Sequence, residues 1–278
     1  MGGGIAQVVA SYGVKCTVVE VSDDAVAGSK KTIEGSLQRI QKKMTETKAP
    51  GADDFVSRTL GNLNFTSRGD EAVSQADLVV EAIVEKLEVK NALWSRLDSV
   101  ANPSCVFASN TSSLSIAAQA ACTKRQDRFV GLHFFSPVVM MKLVEVVRTE
   151  QSSPDVVAKA MAFCKQIGKE PVACRDSKGF IVNRLLVPLL LEAARLVERG
   201  DATVEDVDKA MRLGAGHPMG PFTLADSIGV DVIALINSSW NKEFPEDPLF
   251  RISPLIAETA KAGKLGKKSG EGFYKYKK

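Results

Sequence analysis

The chain has 278 residues, 45% hydrophobic and 25% charged, with a net charge of +3. That length buries the core of one large or two medium domains, and the interspersed charge leaves no footprint for nucleic acid or a membrane surface. Five scattered cysteines, never in Cys-x-x-Cys spacing, and only two histidines argue against a disulfide framework, a zinc site or a histidine-rich metal centre.

The opening MGGGIAQ leads into a helix, Ile5–Tyr12, and no signal or transit sequence is visible. Cys16–Val21 is a short β-branched strand. A long amphipathic helix follows from about Asp23 to about Thr45, then a shorter one near Asp53–Leu60. Strand-like runs recur at Asn62–Thr66, Leu78–Ile83, Cys105–Ala108, Phe129–Phe134, Lys142–Val147 and Pro171–Cys174. Helical patterns separate several of them, at Glu71–Gln75, Leu87–Val100, Ser115–Ala121 and Pro154–Ile167. This alternation predicts an α/β domain with a mainly parallel sheet. After Asp176–Gly179 everything from Phe180 to about Ala262 is helical in character, so we divide the chain into domains at 1–177 and 178–278. The longest apolar stretch, Phe180–Val197, is broken by Asn183, Arg184, Glu192 and Arg195, which makes it a buried or interface helix and not a membrane span. Pro188 is expected to bend that helix and Gly200 to end it.

The candidate chemistry centres on GLHFFSP, residues 131–137, followed by KLVEV, residues 142–146. A strand ending near His133, a turn at Pro137 and a returning strand through Glu145 bring imidazole and carboxylate side by side. A carboxylate fixes the tautomer of an imidazole and stabilises its charged form. A lone histidine on an apolar strand is more often a core residue, so its company decides. Glu20, ending its strand, suits ribose hydroxyls as well as it suits plain solvation. Upstream of it, Gly2 and Gly4 form at best the tail of a phosphate-binding glycine loop. The SNTSS run, Ser109–Ser113, reads equally as an N-cap cluster or as a ligand site at a strand's carboxyl end. Asn183 is a polar amide in the first turn of an apolar helix. The glycine- and lysine-rich stretch Lys264–Tyr274 reads as a mobile basic tail or as a set of phosphate contacts.

In order, SNTSS, GLHFF, KLVEV, GFIVNR (179–184) and GEGFY (270–274) resemble the short-chain, mitochondrial-type L-3-hydroxyacyl-CoA dehydrogenases of fatty-acid β-oxidation, over essentially the whole chain. The resemblance implies a Rossmann-type NAD domain followed by an all-helical domain that carries a homodimer interface. It implies reversible oxidation of the 3-hydroxyl of an acyl-CoA, with His133 as base, Glu145 orienting it, and Ser112 and Asn183 holding the substrate oxygen. By the same resemblance Gly2, Glu20, Glu85, Lys90, Ser136 and Lys268 contact NAD, Ser36 and Lys43 contact CoA, and the compartment is the mitochondrial matrix.

Two departures stand out. Ser136 occupies a position where the family usually has Asn. The family's first strand and most of its glycine loop are absent, so our expectation is that Met1 is not the natural start and that the chain as written is impaired. Two other readings compete with the dehydrogenase: a non-catalytic CoA-ester-binding relative with a degraded NAD site, and a dehydrogenase of a small non-CoA hydroxy acid.

Overall fold

The computed structural model describes residues 1–277. The chain enters on α1 (Gly2–Ser11), whose residues Ile5, Ala6, Val8 and Val9 are buried, and then pairs β1 (Cys16–Val19) with a later strand. Ser22 caps α2 (Asp23–Glu46) by accepting the Ala25 N–H at 3.2 Å, two aspartates follow in the first turn, and Ile33 and Leu37 form the buried stripe. Each of these is an ordinary helix-start signal, and the acids also suit the positive end of the helix dipole. After α3 (Phe55–Leu60), β2 (Leu63–Thr66) lies parallel to β1, with Cys16 opposite Leu63.

Beyond α4 (Gly69–Ser74), β3 (Leu78–Glu81) is two residues shorter than the apolar run suggested. The Glu81 carboxylate turns back to accept the Ile83 N–H at 2.7 Å, and that bond ends the strand. α5 (Leu87–Val100), β4 (Val106–Ser109) and α6 (Ile116–Ala120) lead to β5 (Phe129–Phe134), every residue of which is buried. β6 (Leu143–Arg148) returns antiparallel to β5, and α7 (Pro154–Gln166) then crosses to β7 (Glu170–Arg175).

The strands form two groups, β1–β2 and β3–β4–β5–β6–β7, parallel throughout except for β5–β6. β1 and β3 are not hydrogen-bonded to one another. Ile5, Val8 and Val9 of α1 belong to a core cluster that takes in Cys16 of β1, Val80 and Ala82 at β3, and Leu132 and Phe134 of β5. Trp94 of α5 packs on Phe107 and Phe129 at ring separations of 4.9 and 4.8 Å. This is a Rossmann-type, mainly parallel domain.

The chain divides into a unit spanning Met1–Phe180 and a second beginning at Ile181. The second is helical: α8 (Val182–Glu198), α9 (Val204–Gly214), α10 (Pro221–Ile228), α11 (Val230–Glu243) and α12 (Pro254–Lys261). α8 starts two residues later than expected because Gly179 and Phe180 both have positive φ, and it runs through Pro188 as one element. Its core gathers Leu190, Leu191, Val207, Phe222, Ile233, Trp240 and Phe250. Among the described residues no single helix is long and apolar enough to cross a membrane.

Candidate active site

His133 and Glu145 face each other directly across the antiparallel β5–β6 ladder. Directly opposed residues put their side chains on the same side of a sheet, so the twelve-residue spacing around the Pro137 turn becomes contact. Nδ1 of His133 lies 2.7 Å from Oε2 of Glu145. The Glu145 side chain is fully enclosed and that of His133 is 8% exposed. Rings of Phe135 and Phe180 flank the imidazole, with centroids 4.5 and 5.7 Å away. An ionised carboxylate only accepts, so Nδ1 carries the hydrogen and Nε2 is left as the basic nitrogen.

The Ser109–Ser113 run follows β4, and its hydroxyls are organised by carboxylates, not merely by a helix cap. Oε1 of Glu85 accepts from Thr111 Oγ1 at 2.5 Å, from the Ser112 N–H at 3.0 Å and from Ser113 Oγ at 3.2 Å. Burial raises the Glu85 pKa, but the Thr111 hydrogen bond, the Lys90 charge and the Ser112 N–H together outweigh it and hold the carboxyl below its ordinary value. Lys90 is 1% exposed, and its ammonium lies between Glu81 at 2.6 Å and Glu85 at 3.2 Å. The second oxygen of Glu81 accepts from Ser109 Oγ at 2.6 Å. Asn110 accepts the N–H of Phe134, the residue after His133, at 2.9 Å, which ties this loop to β5. Glu81 is not among the residues that the sequence singles out. The one available signal for Glu81 was an acid inside the apolar run LVVEAIV.

Glu20 follows the end of β1 and accepts a hydrogen bond from Ser29 of α2. The first turn of α1 is made of Gly2, Gly3 and Gly4, and a Cβ on Gly4 would press on Val138 at 3.2 Å. Free N–H groups at a helix start suit a diphosphate, and an acceptor-only group at the end of the next strand suits ribose hydroxyls. The residues present therefore fit NAD. Ser36 and Lys43 stand on α2, half-buried and exposed respectively, and Ser136 is exposed beside the cis Ser136–Pro137 peptide. In the helical unit Asn183 occupies the first turn of α8, and Lys268 is paired with Asp231 at 2.6 Å. Among the described residues no cluster of His, Cys, Asp and Glu is arranged to hold a metal ion.

The GEGFY motif proves to be structural as well. Asp226, 1% exposed on α10, accepts the Phe273 and Tyr274 N–H groups, both at 2.9 Å, and the Tyr276 hydroxyl at 2.8 Å. A side chain at Gly266 or Gly272 would overlap Asp226. Gly266 thus admits the Asp226 backbone and Gly272 its buried carboxylate, and the stretch is folded against its own unit through Gly272, Phe273 and Tyr274. Asp208 likewise receives the Phe222 N–H at 2.7 Å and the Tyr274 hydroxyl at 3.1 Å.

Comparison with known proteins adds two family models: the NAD-binding domain of 3-hydroxyacyl-CoA dehydrogenase over residues 1–177, and the C-terminal domain of the same enzyme over 179–276. The mitochondrial hydroxyacyl-coenzyme A dehydrogenase of Rattus norvegicus is 53% identical over 277 residues, covering 100% of this chain and 88% of its own length. Its Homo sapiens counterpart is 51% identical with the same coverage. The crystal structure of (S)-3-hydroxybutyryl-CoA dehydrogenase from Ralstonia eutropha superposes with a TM-score of 0.93 at 38% identity, covering 100% of this chain and 96% of that one. With the two domain models together matching residues 1–177 and 179–276 and more than half the residues shared with the rat enzyme, the chain belongs to the 3-hydroxyacyl-CoA dehydrogenase family.

Proposed function

We propose that this chain catalyses the reversible NAD-dependent oxidation of an L-3-hydroxyacyl-CoA to the 3-ketoacyl-CoA, with His133 moving the proton. The observation that carries this reading is the enclosed His133–Glu145 pair at 2.7 Å. Nε2 of His133 takes the proton from the 3-hydroxyl as the carbonyl forms, and returns it in the reverse direction. Glu145 keeps the ring in the tautomer that leaves Nε2 basic, and stabilises the imidazolium once the proton has arrived. NAD, when bound, supplies the two-electron acceptor. Ser112 and Asn183 hold the substrate oxygen, a positioning role that sets the orientation of the reacting carbon.

Gly2 and Glu20 serve the diphosphate and adenosine ribose of the cofactor, and Glu85, Lys90, Ser136 and Lys268 complete its contacts. The Lys90 ammonium is enclosed between carboxylates, so its influence on the cofactor runs through Glu85. Ser36 and Lys43 take the CoA end. A homodimer through the helical unit, beginning at about residue 178, is supported by Leu185, Leu213 and Leu235, which are 70–72% exposed there. A mitochondrial matrix location is supported by the names of the mammalian relatives.

Steady-state NADH oxidation with acetoacetyl-CoA, comparing the unaltered chain with His133→Ala, tests the reading. Turnover lost on substitution, with cofactor affinity retained, is the expected result. Full activity in His133→Ala would overturn it.

A further inference from the structure

Glu81 is a buried charge to which the proton transfer above gives no task. Its side chain is fully enclosed, and the formal charges of Glu81, Lys90 and Glu85 sum to −1. One Lys–Glu pair would suffice to tie α5 to the Ser112 loop. Glu81 accepts from the Ile83 N–H, from Lys90 and from Ser109. A neutral glutamine has an oxygen for the first two, but its NH2 cannot accept from the Ser109 hydroxyl, whose bond is lost as it is in Ser109→Ala. Two of the three bonds thus do not require a charge, while enclosing an extra charge is costly.

We propose that Glu81 shares the charge of Lys90 with Glu85, and so leaves the cluster a net negative charge that favours the oxidised, positively charged nicotinamide over the reduced, neutral one. The proposal rests on the roles given above to Ser112 and His133. A substrate oxygen held by these two residues places the reacting carbon, and the ring that must lie against it, within about 10 Å of Glu85. Glu85 reaches Ser112 at its N–H (3.0 Å) and at its Oγ (3.4 Å). The two cofactor forms share diphosphate, riboses and adenine and differ by one charge on the ring. Their affinity ratio therefore reads the local field and cancels the rest. At about 10 Å and an effective dielectric of about 20, one unit charge shifts that ratio roughly tenfold.

Calorimetric titration of NAD+ and of NADH into the full chain and its E81Q, E85Q and S109A variants tests the proposal. E81Q is expected to raise the Kd for NAD+ about tenfold relative to that for NADH, and E85Q to shift the ratio the same way by at least as much. S109A removes a hydrogen bond from Glu81 but no charge, and is expected to leave the ratio within about twofold. Equal weakening of both forms in E81Q, or a ratio moved no further than by S109A, would make Glu81 a structural residue and overturn the proposal. Should E81Q not fold, E85Q decides, because it takes the same unit charge from a side chain that is 38% exposed. An unchanged ratio there sinks the idea. Binding of neither form to the unaltered chain would count against the cofactor site itself and the proposal with it. These titrations need no turnover, so full activity in His133→Ala refutes the residue roles by a separate route.

Discussion

Replacing Glu145 by glutamine keeps the shape of the side chain and removes its charge. In the resting pair the carboxylate accepts from Nδ1 of His133 at 2.7 Å. When Nε2 takes the substrate proton the ring becomes a cation, held between Phe135 and Phe180 with 8% of its side chain exposed. Solvent does little for that cation, and the carboxylate does most of the work. An ion pair at about 4 Å in an effective dielectric of about 20 is worth about 4 kcal/mol. Part of that attraction already acts in the transition state, where the proton is partly transferred, so the barrier rises by about 2–4 kcal/mol. That corresponds to a fall in kcat of roughly 30- to 1000-fold. A glutamine amide that turns its NH2 toward Nδ1 adds to the loss by favouring the tautomer with Nε2 protonated. In the proposed mechanism Glu145 acts through the imidazole, so KM for the acyl-CoA is expected to stay within about threefold. The assay is steady-state NADH oxidation with acetoacetyl-CoA, with circular dichroism to confirm the fold. A Glu145→Gln chain that folds and keeps kcat within about threefold of the unaltered enzyme would refute this account of the pair.

Gly131 lies under α6, where a new Cβ would come within 2.8 Å of Val147 Cβ and 2.9 Å of Ile116 Cδ1. Gly131→Ala is therefore expected to cost about 1–3 kcal/mol in urea unfolding, and an unchanged midpoint would contradict the packing. Asp226→Ala strips three half-buried donors of their acceptor, and an expected loss of about 1–3 kcal/mol should appear in the helical unit's unfolding. Glu85 has a folded pKa below its ordinary 4.5, so the folded state gives up this proton sooner than the unfolded one. Its contribution to stability is then complete above about pH 4.5 and lost as pH falls through the lower folded value. Glu85→Gln should flatten that part of the acid-unfolding curve, and an identical slope would count against the network. Burial pushes the thiols of Cys16, Cys105 and Cys174 up to about 11 and that of Cys164 to about 12. All four should react far more slowly with a disulfide reagent in the native chain than in urea, and rapid native labelling of any one would show its burial to be wrong.

The parts of this protein legible in sequence are those where a local rule decides. Ser22, Ser153, Thr203 and Ser253 each cap the helix that follows, and a serine, threonine or aspartate ahead of an apolar period is a signal read in one place. The His133–Glu145 contact was legible for a related reason. Two short apolar runs around a proline turn leave few registers, and with a period of two, opposed residues share a face. Where neighbours come from far along the chain, sequence is nearly silent. Glu81 meets Lys90 nine residues later and Ser109 twenty-eight later, and its place inside an apolar run is the one local sign that it differs from a solvated acid. The glycine- and lysine-rich stretch near the C-terminus leaves a mobile tail and phosphate contacts both open in sequence, because glycine says only that a Cβ has no room. What fills the room at Gly266 and Gly272 is Asp226, some forty residues earlier. Both cases concern enclosed carboxylates. An acid in sequence is by default a surface group, and it is only the donors assembled around it by the fold that make burial tolerable. The same dependence gives buried acids their leverage: Glu145 bears on the His133 imidazole, Glu81 on Lys90, Ser109 and the Ile83 N–H, and Asp226 on two backbone N–H groups and the Tyr276 hydroxyl. Each can therefore be probed by a single isosteric amide, which keeps the shape of the side chain and removes its charge.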